Sequence, residues 1–176
     1  MKKKLKEKKT WKYLIPTFAL MGFALFLFYR GGGGVGSINI GGYKSVDYFH
    51  GGSGGSDLDI KRVRWHKHNG FERVVLDVFK YNGMFTDKNF ILTNETGTFQ
   101  IGKEKAGSLE LDGEVKGFRS FSAPMPSFYK SKLIKDMEVF PEDSNAFLFT
   151  LKLKKSTAYK VFTLTKPARI IIDLKD

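Results

Sequence analysis

The chain has 176 residues, with 30 Lys and Arg, 18 Asp and Glu, three His and no Cys. That length is a prior for one folded domain plus appendages, and 41% hydrophobic content with 17 Phe excludes wholesale disorder. Without cysteine there is no disulfide, thiolate zinc site, cysteine nucleophile or lipid-bearing Cys anchor.

The net charge of +12 is unevenly spread. Residues 1–13 hold seven lysines against Glu7, a net +6, and the remaining 163 residues share the other +6. The bulk of the chain is therefore only ordinarily basic, and no nucleic-acid partner is expected. Residues 14–29, LIPTFALMGFALFLFY, carry no charge. A helix in water needs a wet side, which this segment lacks. Sixteen such residues rise about 24 Å, short of the roughly 30 Å hydrocarbon core, and Trp11, Tyr13 and Tyr29 extend the span at headgroup level. Pro16 falls in the first turn, where a helix tolerates it. These features predict a basic cytoplasmic tail at 1–13 and a transmembrane signal anchor at 14–29. The lysine excess predicts a single pass of the inner (cytoplasmic) membrane, with everything after it in the periplasm or cell-wall zone. A cleavable signal peptide has the same order of charge and apolar run. Arg30 directly after the run and the lack of an A-x-A site argue against cleavage.

Residues 31–57 hold eleven of the nineteen glycines, including GGSGG at 51–55. Glycine brings backbone freedom and nothing to bury, so residues 30–57 read as a flexible linker. Apolar islands at Val35, Ile38, Ile40, Tyr43, Val46, Tyr48 and Phe49 leave a second reading open, a short strand added to a sheet edge of the domain or of a partner.

From residue 58 the apolar period is two. Val74, Leu76 and Val78 alternate with Arg73, Val75 and Asp77, and Phe147, Phe149, Leu151 and Leu153 alternate with Leu148, Thr150 and Lys152. Shorter runs occur at 61–65, 90–93, 98–102, 108–111, 133–139 and 160–165, and the last at 169–174. Alternation predicts half-buried strands, and the glycine-containing gaps between them predict turns. No stretch holds a helical period, so residues 58–176 are expected to form an all-β domain, most simply a β-sandwich.

Two strands share one pattern: Arg73-Val-Val-Leu-Asp77-Val and Arg169-Ile-Ile-Ile-Asp173-Leu. Arg and Asp lie on the same face but about 13 Å apart, too far for an ion pair within a strand. Paired antiparallel, the Arg of one strand would face the Asp of the other. Exposed ion pairs of that kind are worth about 0–1 kcal/mol, so the pattern alone indicates two charge-capped strands of one sandwich.

With Ile60-Lys-Arg-Val-Arg-Trp65, Gly70-Phe71-Glu72 and Tyr159–Asp173, these segments resemble the AMIN family, and most closely its stand-alone AMIN-like branch. The resemblance covers roughly residues 59–176 and is more specific at its ends than in its centre. It marks Arg73, Asp77, Arg169 and Asp173 as motif residues. It implies a β-sandwich of the bacterial cell envelope that holds proteins at peptidoglycan or at envelope complexes. Within these 176 residues neither the catalytic domain of the amidases nor the barrel of the secretins is expected.

No catalytic constellation stands out. His66 and His68 share a parity that suits metal ligation, but they lie in HKHNG, a charged run entering a turn, and no third ligand is evident. No nucleophile turn surrounds any serine. Glu138, Glu142 and Asp143 cluster near Pro141 in what reads as a solvated turn. No metal, cofactor or enzymatic activity is expected. The most suggestive surface is the segment 117–131, GFRSFSAPMPSFYKS, whose prolines exclude a central strand. There Arg119 and Lys130 stand beside Phe121, Phe128 and Tyr129, flat rings and cations that suit carboxylate-bearing sugars. The competing fate for those rings is to plug the end of the sandwich. The expected function is a membrane-tethered, non-catalytic module binding peptidoglycan or another anionic wall polymer. The alternative is a structural accessory subunit of a trans-envelope complex that binds protein.

Overall fold

Residues 42–83 and 90–176 are described by a computed structural model. The expected basic tail and membrane anchor lie outside these residues. Eleven strands form two sheets, with no helix among the described residues. In chain order they are β1 (Asp47–Gly54), β2 (Leu58–His68), β3 (Phe71–Lys80), β4 (Ile91–Leu92), β5 (Gly97–Lys103), β6 (Glu110–Lys116), β7 (Phe118–Ser120), β8 (Ile134–Asp143), β9 (Ala146–Leu153), β10 (Tyr159–Thr165) and β11 (Ala168–Lys175). One sheet runs β1-β5-β6-β9-β8. The other runs β10-β11-β3-β2-β7, with β4 added beside β3. All pairings are antiparallel except β2 with β7.

The alternation read from the sequence sets which side chains enter the core. Val74, Leu76, Val78, Ile170 and Ile172 from one sheet and Ile101, Leu111, Val115, Phe149 and Leu151 from the other are buried in a single apolar cluster. Such a sandwich-like, all-β arrangement agrees with the expected fold class at the level of two sheets around one core.

Residues 30–41 of the expected linker lie outside the described residues; within the rest, Asp47–Gly54 is instead the edge strand of the five-stranded sheet, paired with β5 from Asp47↔Lys103 to Gly54↔Gly97. The second reading, a short strand on a sheet edge of the domain, describes it. Its glycines fit a close approach: a Cβ at Gly51 would meet the Phe99 ring at 2.8 Å, and one at Gly52, where φ is +112°, would meet the Gly97 carbonyl oxygen. The anchor is Phe49, buried at 1% exposure and edge-on to Tyr159 with ring centroids 5.7 Å apart. The Tyr159 hydroxyl donates to the Asp47 carbonyl and accepts from the Lys103 N–H at 3.0 Å, tying β1, β5 and β10 together. Phe49→Ala is therefore expected to destabilise the domain by about 3–5 kcal/mol, the range for a core Phe, read as a lowered urea midpoint. A freely moving tether would give no change.

Candidate functional site

The pairing of β3 with β11 places Arg169 opposite Asp77 and Asp173 opposite Arg73, as the shared pattern requires. The contacts are close. Arg73 Nε and Nη2 donate to the two oxygens of Asp173 at 2.6 and 2.8 Å, and Arg64 grips Asp77 in the same fork at 2.7 Å on both oxygens. Arg169 Nε adds a third bond to Asp77 at 3.1 Å. The two carboxylates are buried, with 7% and 3% side-chain exposure, while the three guanidiniums are about one-third exposed. Removing a guanidinium from such a forked pair costs more than breaking an exposed one, because the Asp left alone would be a desolvated charge. Asp173 accordingly raises the Arg73 pKa above its ordinary value.

The lattice is one part of a wider face. Three cross-strand rows cover the outside of the six-stranded sheet. The first is Arg62, Asp77, Arg169 and Leu164; the second is Arg64, Val75, Ile171 and Phe162; the third is His66, Arg73, Asp173 and Lys160. Four arginines and a lysine thus stand over two carboxylates. Rings interleave with them: Arg73 lies 5.1 Å from the Phe71 centroid and 5.4 Å from that of Phe162, and Lys160 lies 5.0 Å from Phe162 and 5.8 Å from Tyr43. Arg62 and Lys160 have no ion-pair partner among the described residues. The motif residues Arg73, Asp77, Arg169 and Asp173 were marked by their spacing. Arg62, Arg64 and Lys160 were missed, although Arg62, Arg64, His66 and His68 share one parity.

The loop that drew attention in the sequence is split between two fates. After the short β7 it runs beside β2: Ala123 N–H donates to the Ile60 carbonyl at 2.9 Å, and Ser122 donates to the buried Asp59. Phe128 is buried at 5% exposure against Trp65, with centroids 6.4 Å apart, and Phe121 packs half-buried on Phe147. Glu72, fully buried, holds the far end of the loop by accepting from Lys132 N–H at 2.7 Å, Trp65 Nε1 at 3.0 Å and the Ser131 hydroxyl. Of the five candidate residues only Arg119, Tyr129 and Lys130 face solvent; Tyr129 is 88% exposed, and Arg119 pairs with Asp57 at 3.3 Å. The loop closes one side of the core and does not bring its five candidate residues onto one surface. Phe128→Ala should cost about 3 kcal/mol while Tyr129→Ala stays within about 0.5 kcal/mol, compared by urea denaturation.

Lys103 is a buried cation outside both regions. Its Nζ donates to the carbonyls of Ser108 and Thr157, each at 3.0 Å, and burial lowers its pKa below 10.5. Between the lowered folded pKa and the unfolded one the unfolded chain binds more protons, so this group makes stability rise with pH in that window. The stability of the wild type relative to Lys103→Met is expected to increase as pH approaches 10.5, measured by urea midpoints at several pH values. A gap that is constant with pH would show an unshifted lysine.

His66 and His68 are exposed on β2, with His68 stacked on Phe71 at 4.5 Å, and no group of three or more His, Asp or Glu able to hold a metal occurs among the described residues. Comparison with protein-family models, with curated proteins and with solved structures finds no match.

Proposed function

We propose that the chain is a membrane-tethered, non-catalytic binding module of the cell envelope, an AMIN-like β-sandwich that engages peptidoglycan or another anionic wall polymer through its arginine face. One observation carries this reading. In the three cross-strand rows on the outer face of the six-stranded sheet, Arg62, Arg64, Arg73, Arg169 and Lys160 stand against Asp77 and Asp173, so these rows keep an excess positive charge. Both carboxylates are engaged from above by guanidiniums, and those guanidiniums are oriented by the bonds they make. Arginines held in this way lose little freedom on meeting a carboxylate or phosphate. Phe71, Phe162 and Tyr43 offer flat apolar surface between the charges, which suits a sugar ring bearing an acid. Within the 117–131 segment, Arg119, Tyr129 and Lys130 are exposed and open to contact, whereas Phe121 and Phe128 belong to the core. A cytoplasmic N-terminus and an extracytoplasmic domain remain part of this proposal, resting on the lysine-flanked apolar run.

The test is sedimentation of the full chain, in neutral detergent, with purified wall sacculi at increasing salt. Binding should fall steeply with salt, because charge attraction between exposed groups is screened over about 8 Å at physiological ionic strength. Arg62→Glu with Lys160→Glu should weaken it at least about tenfold, or ~1.4 kcal/mol, without lowering the urea midpoint, since neither side chain belongs to the Arg–Asp lattice. Binding that ignores both salt and charge reversal would defeat the reading. Absence of any binding would favour the alternative, an accessory subunit whose partner is a protein.

A further inference from the structure

The outer face of the five-stranded sheet is the electrostatic opposite of the arginine face. Its cross-strand rows read His50, Gln100, Glu114, Leu148, Phe140; Tyr48, Gly102, Asp112, Thr150, Glu138; and Glu110, Lys152, Asp136. With Glu142, which lines the same surface, this face holds six carboxylates, Glu110, Asp112, Glu114, Asp136, Glu138 and Glu142, against Lys116 and Lys152. An acid-rich surface on a chain of net charge +12 runs against the composition. Acids crowd here closely enough that hydrogen bonding to Glu114 raises the Glu142 pKa above its ordinary value. Between them lies a shallow groove of about 430 Å³ floored by Tyr48, Phe140 and Leu148, the last two 50% and 39% exposed.

We infer that copies of this chain associate face to opposite face, the acid face of one receiving the arginine face of the next. The complement of the acid face is present on the same molecule. Six acids meet four arginines and a lysine, and the rings of Phe71 and Phe162 are available to the apolar groove. The alternatives are weaker on the same grounds. Pairing acid face with acid face, or arginine face with arginine face, sets like charges opposite one another and is repulsive. Because the two faces belong to different sheets, the contact is heterologous and need not close into a ring. A sheet face of this size covers roughly 500–600 Å² a side, at the small end for a specific interface, so the association is weak and transient. The arginine face would then serve two anionic ligands in competition, a wall polymer and a neighbouring copy.

The absence of cysteine in the chain makes the test clean. Leu164→Cys places a thiol on the arginine face and Leu148→Cys places one on the acid face, at side chains each 39% exposed. The two full-length variants, in neutral detergent, are treated with a short bis-maleimide separately and as a mixture. The expected result is crosslinked dimer in the mixture, at least about fivefold above either variant alone, and its loss in ~0.5 M salt, where the Debye length falls to a few ångströms. Adding Glu114→Lys and Glu142→Lys to the acid-face variant should abolish it. Dimer in either single-variant sample at the level of the mixture, or none in the mixture, overturns the inference. If either variant fails to fold, judged by circular dichroism, Lys175→Cys and Thr98→Cys occupy the same two faces and the same outcomes decide. Sacculus binding is scored separately on the same proteins, so the proposed function can fail while the association stands, and the reverse.

Discussion

The rest of the structure depends on the antiparallel pairing of β3 with β11. These strands lie about a hundred residues apart in the chain and form the middle of the six-stranded sheet. On their inner face Val74, Leu76, Ile170 and Ile172 are all at 0% exposure, so a register slip of one residue would turn the apolar row of one strand outward and bury that strand's Arg and Asp. The outer face reinforces the same register. A carboxylate as buried as Asp173 or Asp77 needs its guanidinium, and only one alignment brings each Arg to the opposing Asp. Apolar packing and ion pairing therefore select one pairing from opposite sides of the sheet. That is consistency between levels, which narrows the set of competing structures beyond what either term does alone.

A β-sheet face that meets water usually spends its charged residues singly. Here each carboxylate of the six-stranded sheet is saturated, and Asp77 takes two arginines. Saturation has a consequence for the field outside: the negative charges are deep and neutralised, whereas the unpaired Arg62 and Lys160 are at the surface. The five-stranded sheet divides its charges the other way. Lys116 and Lys152 are engaged by Glu114 and Glu138, which leaves the remaining acids to set the sign of that face. The two faces lie on opposite sides of sheets packed about 10 Å apart, farther than the roughly 8 Å screening length at physiological ionic strength, so each face keeps its own sign in the solvent it meets.

What the sequence made legible follows from how strictly each strand alternates. β3, β9, β10 and β11 were readable because one face is apolar and the other mixed at every second residue. β6 was read only as far as Leu111, because Gly113 interrupts its inward row. The structure explains the glycine: a Cβ there would collide with the Phe149 ring, so the missing side chain on β6 is the space filled by an oversized one on β9. β1 was obscured for the same reason, since Gly51 yields to Phe99. Composition reports glycine as freedom, and only the partner strand shows that it is packing. The site was half legible. The Arg–Asp repeats pointed to each other across two strands, but Arg62 and Arg64 sit beyond a register shift between Ile60 and Arg62 that changes the parity of β2. The 117–131 loop misled because ring and cation content does not say which way a ring points, and Phe128 points inward to Trp65.

The division between structural and available charges also bears on how such a face can be used. Arg64, Arg73 and Arg169 are held by bonds to buried acids, so a ligand gains from their fixed positions but cannot draw them away without uncovering Asp77 or Asp173. Recognition by these three groups is therefore rigid, through whatever donors each fork leaves unused. Arg62 and Lys160 flank them on β2 and β10, at opposite sides of the strand pair, and are restrained only by rings: Arg62 lies 5.6 Å from the Phe90 centroid and Lys160 between Phe162 and Tyr43. These side chains can follow a ligand and contribute its attraction over distance. A fixed centre with mobile cations at its margins favours ligands with regularly repeated acids, since a single acid would engage one group and leave the others unused. An anionic polymer and a neighbouring sheet of carboxylates at strand spacing, the two partners proposed above, both meet that condition.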